Sequence, residues 1–86
     1  MHLQPPTIFT QRTVRNRFVA YLLEQDPGKD RWILAEHNTS QLAHYLCVTR
    51  PALSKEIGKM VREGLIAVEG RRYRLLAEQQ LRQEMG

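Results

Sequence analysis

Residues 38–64, NTSQLAHYLCVTRPALSKEIGKMVREG, decide how this chain is read. Asn38 followed by Gln41 three residues later is a capping-box pattern, so a helix opens there. Leu42, Ala43 and Leu46 fall on one face of that helix, which runs to about Leu46. A break follows at Cys47, Val48 and Thr49. Thr49 is a second N-cap, and Pro51 sits in the first turn of the next helix, where its missing N–H costs little. That second helix continues to Glu63 and stops at Gly64, a residue suited to ending a helix. Two short helices joined by a tight turn make a helix-turn-helix.

The second helix has two unlike sides. At about 100° per residue, Leu53, Ile57 and Met60 cluster on one of them, with Val61 at its margin. Pro51, Ser54, Lys55, Gly58, Lys59 and Arg62 fall on the other, and Arg50 stands near the boundary at the N-terminal end. Packing accounts for the apolar stripe. The opposite side needs a partner for its cations, and the small residues Ser54 and Gly58 permit a close approach. Glycine inside a helix costs roughly 1 kcal/mol against alanine, so Gly58 is expected to serve packing or access.

Outward from this motif the signals are shorter. Residues 1–9, with Pro5-Pro6, have no period and are expected to form an extended lead-in to a single domain over residues 10–86. Between residues 10 and 25, Val14, Phe18, Tyr21 and Leu22 recur at helical spacing, and Arg12, Arg15 and Arg17 lie off that stripe. Asp26-Pro27-Gly28 stops the helix. Residues 32–35, WILA, are too short for a helix and read as a strand. Beyond the motif, residues 65–68 and 73–76 flank Gly70. A two-residue turn at Gly70-Arg71 sets Val68 opposite Tyr73 and Ile66 opposite Leu75, all four on one buried face. Residues 77–85 have the composition of a short closing helix. The expected fold is α+β: helices at about 10–25, 38–47 and 50–63 with a hairpin at 66–69 and 72–76. Its core is expected to include Val14, Phe18, Leu22, Leu42, Leu46, Leu53, Ile57, Leu65, Ile66 and Leu75.

Composition bounds the function. Eighty-six residues allow one domain with a modest core. No apolar run is long enough to cross a bilayer, the first residues lack the apolar core of a secretory signal, and the single cysteine permits no internal disulfide. A cytoplasmic protein without membrane attachment is expected. Net charge is +4, and all of the excess lies between residues 50 and 74, which hold seven Lys and Arg against three Glu. The remaining residues balance at six against six. A basic helix projecting from a helix-turn-helix is of a size to enter the major groove of DNA.

Particular residues suit particular roles. Arg50 and Lys55 can donate to guanine O6 and N7, and Ser54 can donate or accept as a weaker specifier. Thr49 at one helix start, and Asn38, Thr39 and Ser40 at the other, can meet phosphates. Lys59 on the same helix, and Arg71, Arg72 and Arg74 on the hairpin, suit backbone contact alongside the groove.

The run QLAHYLCVTRPALSKEIGKMVREGLIAVEGRRYRLL resembles the C-terminal DNA-binding domain of the Crp/Fnr family of bacterial transcription regulators. There a pattern close to L-A-x-x-L-G-V-[ST]-R-x-x-L-S-R-x-L, then G-L-I, recurs. TVRNRFVAYLL and RWILAEHN resemble the helix and strand that precede it, so the similarity spans about residues 12–81. The resemblance implies a winged helix-turn-helix, a three-helix core with a small antiparallel β-hairpin wing. It implies base contacts at Arg50, Ser54 and Lys55 and a phosphate contact at Thr49. Double-stranded DNA, as a palindromic operator, is the implied partner, with a homodimer for the full regulator and RNA polymerase as a further contact. Three positions depart from the pattern. Lys55 stands where arginine is usual, Pro51 where several members carry glutamate, and Cys47 where glycine is usual. A left-handed cysteine in that turn carries roughly 1 kcal/mol of strain. The family's sensory β-roll and dimerisation helix have no counterpart here, so an excised domain is expected in preference to a stand-alone small regulator. No cofactor is expected in the chain itself.

Two other readings compete. His44 and Cys47 lie three residues apart with His37 nearby, which suggests a metal- or thiol-responsive small regulator, but no fourth ligand is evident for a zinc site. A winged-helix protein-interaction module would expose an apolar patch where this chain carries cations. Catalysis is not expected: Ser54 has no evident base, and no acid pair or phosphate-binding glycine loop is present.

Overall fold

The computed structural model describes residues 7–25 and 27–84. Four helices and a three-stranded antiparallel sheet follow one another as α1 (Val14–Glu24), β1 (Ile33–Leu34), α2 (Thr39–Tyr45), α3 (Arg50–Arg62), β2 (Ile66–Glu69), β3 (Arg72–Leu75) and α4 (Glu78–Glu84). The hairpin has the expected register, Val68 facing Tyr73 and Ile66 facing Leu75. Gly70 takes φ 62°, while positive φ among the described non-glycine residues is confined to Arg31 and Cys47. That combination suits a tight hairpin turn with glycine in its first central position.

The sheet is larger than a hairpin. β1 pairs with β3 through Ile33–Tyr73 and Leu34–Arg72, giving the order β1-β3-β2. Ala35 continues the ladder by donating its N–H to the Arg71 carbonyl at 2.9 Å. One face packs on the helices through Ile33, Ile66 and Tyr73, and Phe18 meets Tyr73 edge-on with centroids 5.3 Å apart.

Several expectations need correcting. Through Pro6 the lead-in lies outside the described residues, as do Asp26 and Met85. From Thr7 to Thr10 the chain forms a 3-10 turn and is not extended; it brings Ile8 into the core at 0% exposure. The first helix starts later than residue 10, because Thr13 caps it by accepting the Asn16 N–H. Strand β1 is two residues long instead of four. Val68 is 38% exposed although it faces the buried Tyr73 across the hairpin, and Leu75 is half-buried. Val14 and Ile57 are likewise half-buried against the core. Beyond the expected core residues, the buried set holds Ile8, Val19, Ala20, Tyr21, Ile33, Ala35, Ala43, Met60, Tyr73 and Leu81.

Candidate nucleic-acid interface

Both helices of the central motif have the expected caps. Asn38 accepts the Gln41 N–H at 2.9 Å while the Gln41 side chain accepts the Asn38 N–H at 3.0 Å, so the capping box is complete. Thr49 accepts the Ala52 N–H at 3.2 Å. Their C-termini share one geometry. After α2, the N–H groups of Cys47 and Val48 donate to the carbonyls of His44 and Ala43. After α3, those of Gly64 and Leu65 donate to Val61 and Met60. Each is a Schellman motif, which requires a left-handed residue just past the helix. Gly64 fills that place at φ 76°, and Cys47 fills it at φ 60°. The altered turn is therefore conventional in shape and carries the strain in its side chain.

This ending aims α3. Leu42, Ala43, Leu46, Leu53 and Met60 are all buried at the crossing and beneath it. Arg50, Pro51, Ser54, Lys55, Lys59 and Arg62 remain exposed together. Among the described residues, no ion pair is formed by Arg50, Lys55, Lys59, Arg62, Arg71 or Arg74. Two carboxylates on α3 and at its end are taken up elsewhere: Glu56 and Glu63 both pair with Arg15 of α1, at 3.4 and 3.0 Å. Among the described residues, and leaving aside its chain neighbours and the helix's own backbone, the one heavy atom within 4 Å of where a Gly58 Cβ would stand is Arg62 Nη1, at 3.4 Å. Glycine there does not serve packing inside the domain; it leaves the exposed face low.

The expected backbone contacts fall into unlike environments. Arg71 sits in the hairpin turn and Arg74 on the outer face of β3, both exposed. Arg72 is engaged within the protein: Nη2 is 2.9 Å from Asp30 Oδ2, Nη1 is 3.9 Å from Glu69, and the guanidinium lies 5.1 Å from the Trp32 ring centroid. It ties the loop before β1 to the hairpin. Thr49 Oγ1 accepts its cap hydrogen bond and keeps its own proton to donate. Asn38 uses Oδ1 in its cap and keeps its side-chain NH2, while Ser40 is exposed and Thr39 half-buried.

Two arginines set aside in the sequence have structural work. Arg17 donates from Nε to the Gln11 carbonyl at 3.0 Å and from Nη1 to those of Leu46 and Cys47 at 3.1 and 3.4 Å. A cation at these carbonyls satisfies the end of α2 and suits its dipole. Arg15 holds α1 to α3. Its sequence signal was the pairing of Glu56 with Glu63 two turns apart on one flank of the basic helix, with a cation three residues before Phe18 on α1.

Other candidate sites are weaker. A shallow hollow of about 470 Å³ is lined by His37, Ser40, Gln41, His44 and Tyr45 on the flank of α2. Among the described residues no three His, Cys, Asp or Glu side chains gather closely enough to hold a metal ion. No described helix is long and apolar enough to cross a membrane.

A capped helix pair, an exposed cationic second helix and a hairpin beside it define a winged helix-turn-helix protein. Residues 16–84 match the family of Crp-like helix-turn-helix domains, and the chain belongs to that family. Two solved structures share its fold. FixK2 from Bradyrhizobium japonicum superposes with a TM-score of 0.74 at 22% identity, over 83% of this chain and 37% of that one. A CRP-family transcriptional regulator from Thermus thermophilus does so with a TM-score of 0.73 at 25% identity, over 92% of this chain and 43% of that one. The chain thus spans less than half the length of either. No curated protein matches it. Family and fold are those of transcription regulators, and a Crp-like helix-turn-helix implies double-stranded DNA as the partner.

Proposed function

We propose that this domain reads a specific DNA sequence with α3 and holds the flanking backbone with its wing. The observation that carries the reading is the exposed, unpaired set of cations on α3 around low-profile Ser54 and Gly58. Arg50 and Lys55 donate to base edges in the major groove, with Ser54 as a weaker specifier. Thr49, Lys59, Arg71 and Arg74 meet phosphates, as do Asn38, Thr39 and Ser40 at the start of α2. Arg72 reaches a phosphate only by sharing its guanidinium with Asp30, so its contribution is the smallest of the wing arginines.

The chain acts in the cytoplasm without a cofactor of its own and without catalysis. In a full-length regulator it works as one half of a homodimer on a palindromic operator, where RNA polymerase is a further partner. A two-fold pair of domains converts the second half-site contact into an intramolecular one.

Selection of duplexes from a random pool, followed by affinity measurements on the winners, tests the assignment. Replacing Arg50 or Lys55 by alanine is expected to cost roughly 1–3 kcal/mol and to relax base choice at one position. Arg71→Ala is expected to weaken all sequences alike and to make the salt slope shallower by about one unit. Altered base preference in Arg71→Ala with none in Arg50→Ala would remove α3 from the role of recognition helix.

A further inference from the structure

Lys59 stands three residues after Glu56 and four before Glu63. Those are the spacings at which a helix brings opposite charges side by side. On α3 by itself, both carboxylates are natural partners for this ammonium. In the folded domain they turn to α1 instead: Arg15 Nε lies 3.4 Å from Glu56 Oε1 and Arg15 Nη1 lies 3.0 Å from Glu63 Oε1. Among the described residues Lys59 makes no ion pair.

We propose that Arg15 is a positioning residue for DNA contact: by holding Glu56 and Glu63 it keeps the Lys59 ammonium unpaired and available to a backbone phosphate. The inference rests on Lys59 being a phosphate contact of the proposed interface. Three physical features favour Arg15 over Lys59 in the competition. A guanidinium presents five donors in a fixed fork and can serve two carboxylates at once, whereas an ammonium is a strongly hydrated point charge. The Arg15 side chain is only 17% exposed, so its pairs are less screened by salt than any pair at exposed Lys59. Burial works against the Arg15 charge, yet hydrogen bonding and attraction from Glu63 and then Glu56 outweigh it, and its pKa is raised. Without Arg15 the two acids fall back on Lys59, and a phosphate must then displace them.

The test is a double-variant cycle on the full chain with a fluorescent duplex of mixed sequence, because a phosphate contact needs no operator. In the wild-type background, Lys59→Met is expected to make the salt slope shallower by about 0.9, the value of one phosphate. In the Arg15→Met background, Lys59→Met is expected to change the slope little, because Lys59 is already neutralised. Adding Glu56→Gln and Glu63→Gln to Arg15→Met should restore the full sensitivity to Lys59→Met. A purely structural role for Arg15 would not be rescued by neutral glutamines. Circular dichroism confirms folding, and Arg15→Lys, which holds one carboxylate at a time, gives the same cycle with a smaller effect should Arg15→Met melt. Equal losses from Lys59→Met in both backgrounds overturn the inference alone. No loss in the wild-type background overturns the Lys59 contact, and the inference with it.

Discussion

Cys47 and Gly58 stand in each other's best places. Cys47 occupies a left-handed position where glycine is unstrained, with φ 60°. Gly58 occupies a helix interior where alanine is favoured and where an added methyl would meet only the guanidinium end of Arg62 in ordinary contact among the described residues, at 3.4 Å. Cys47→Gly is expected to raise stability by up to roughly 0.5 kcal/mol, the relief of left-handed strain less the entropy glycine adds to the unfolded chain. Urea unfolding of the two proteins measures it, and a loss of stability would show that the exposed thiol side chain contributes packing. Gly58→Ala is expected to stabilise the free domain by about 0.5–1 kcal/mol. The same variant should weaken DNA binding, because a methyl on the low face meets the groove. Tighter binding to the selected duplex would place Gly58 away from DNA.

Between elements, the crossing of α2 and α3 is the joint on which the interface depends. Ala43 is 2% exposed there, and its carbonyl accepts the Val48 N–H at 3.0 Å in the turn. Ala43→Leu is expected to overpack the crossing and destabilise by roughly 1–3 kcal/mol. An unchanged melting temperature would mean that the helices do not meet closely at this residue. The start of α2, both ends of α3 and the hairpin register were legible in the sequence, because caps and turn residues act over three or four positions. Arg15 and Arg17 were not. Each acts on residues about 30 to 50 positions away, and helical spacing on α1 says which side they leave from, not what they reach.

At the scale of the whole molecule, pH bears on the core through two buried phenols. Burial pushes the Tyr73 phenol up, and burial followed by the charge of Glu36 does the same for Tyr21. A phenol that ionises later in the folded chain than in the unfolded one contributes stability in full below the ordinary value of about 10. That contribution is lost as pH rises through the folded value, because the unfolded chain releases its protons first. Stability is therefore expected to decline above about pH 10, and Tyr73→Phe should make the decline shallower while keeping the ring against Phe18. Unfolding free energies across that range, compared between the two proteins, decide it; parallel curves would show that Tyr73 ionises as freely in the folded chain.

The sequence by itself determined the helix-turn-helix, its caps, the hairpin with its register, and the confinement of excess positive charge to residues 50–74. These are consequences of local periodicity, turn chemistry and composition. Only the tertiary structure decided that Ile8 enters the core and that β1 joins β3. It likewise decided that Arg72 is taken up by Asp30, and that Glu56 and Glu63 are drawn away from Lys59 by Arg15. A pattern along the chain can mark which residues carry charge. Which charges remain unpaired depends on distances across the fold, and those exist only once distant elements have packed.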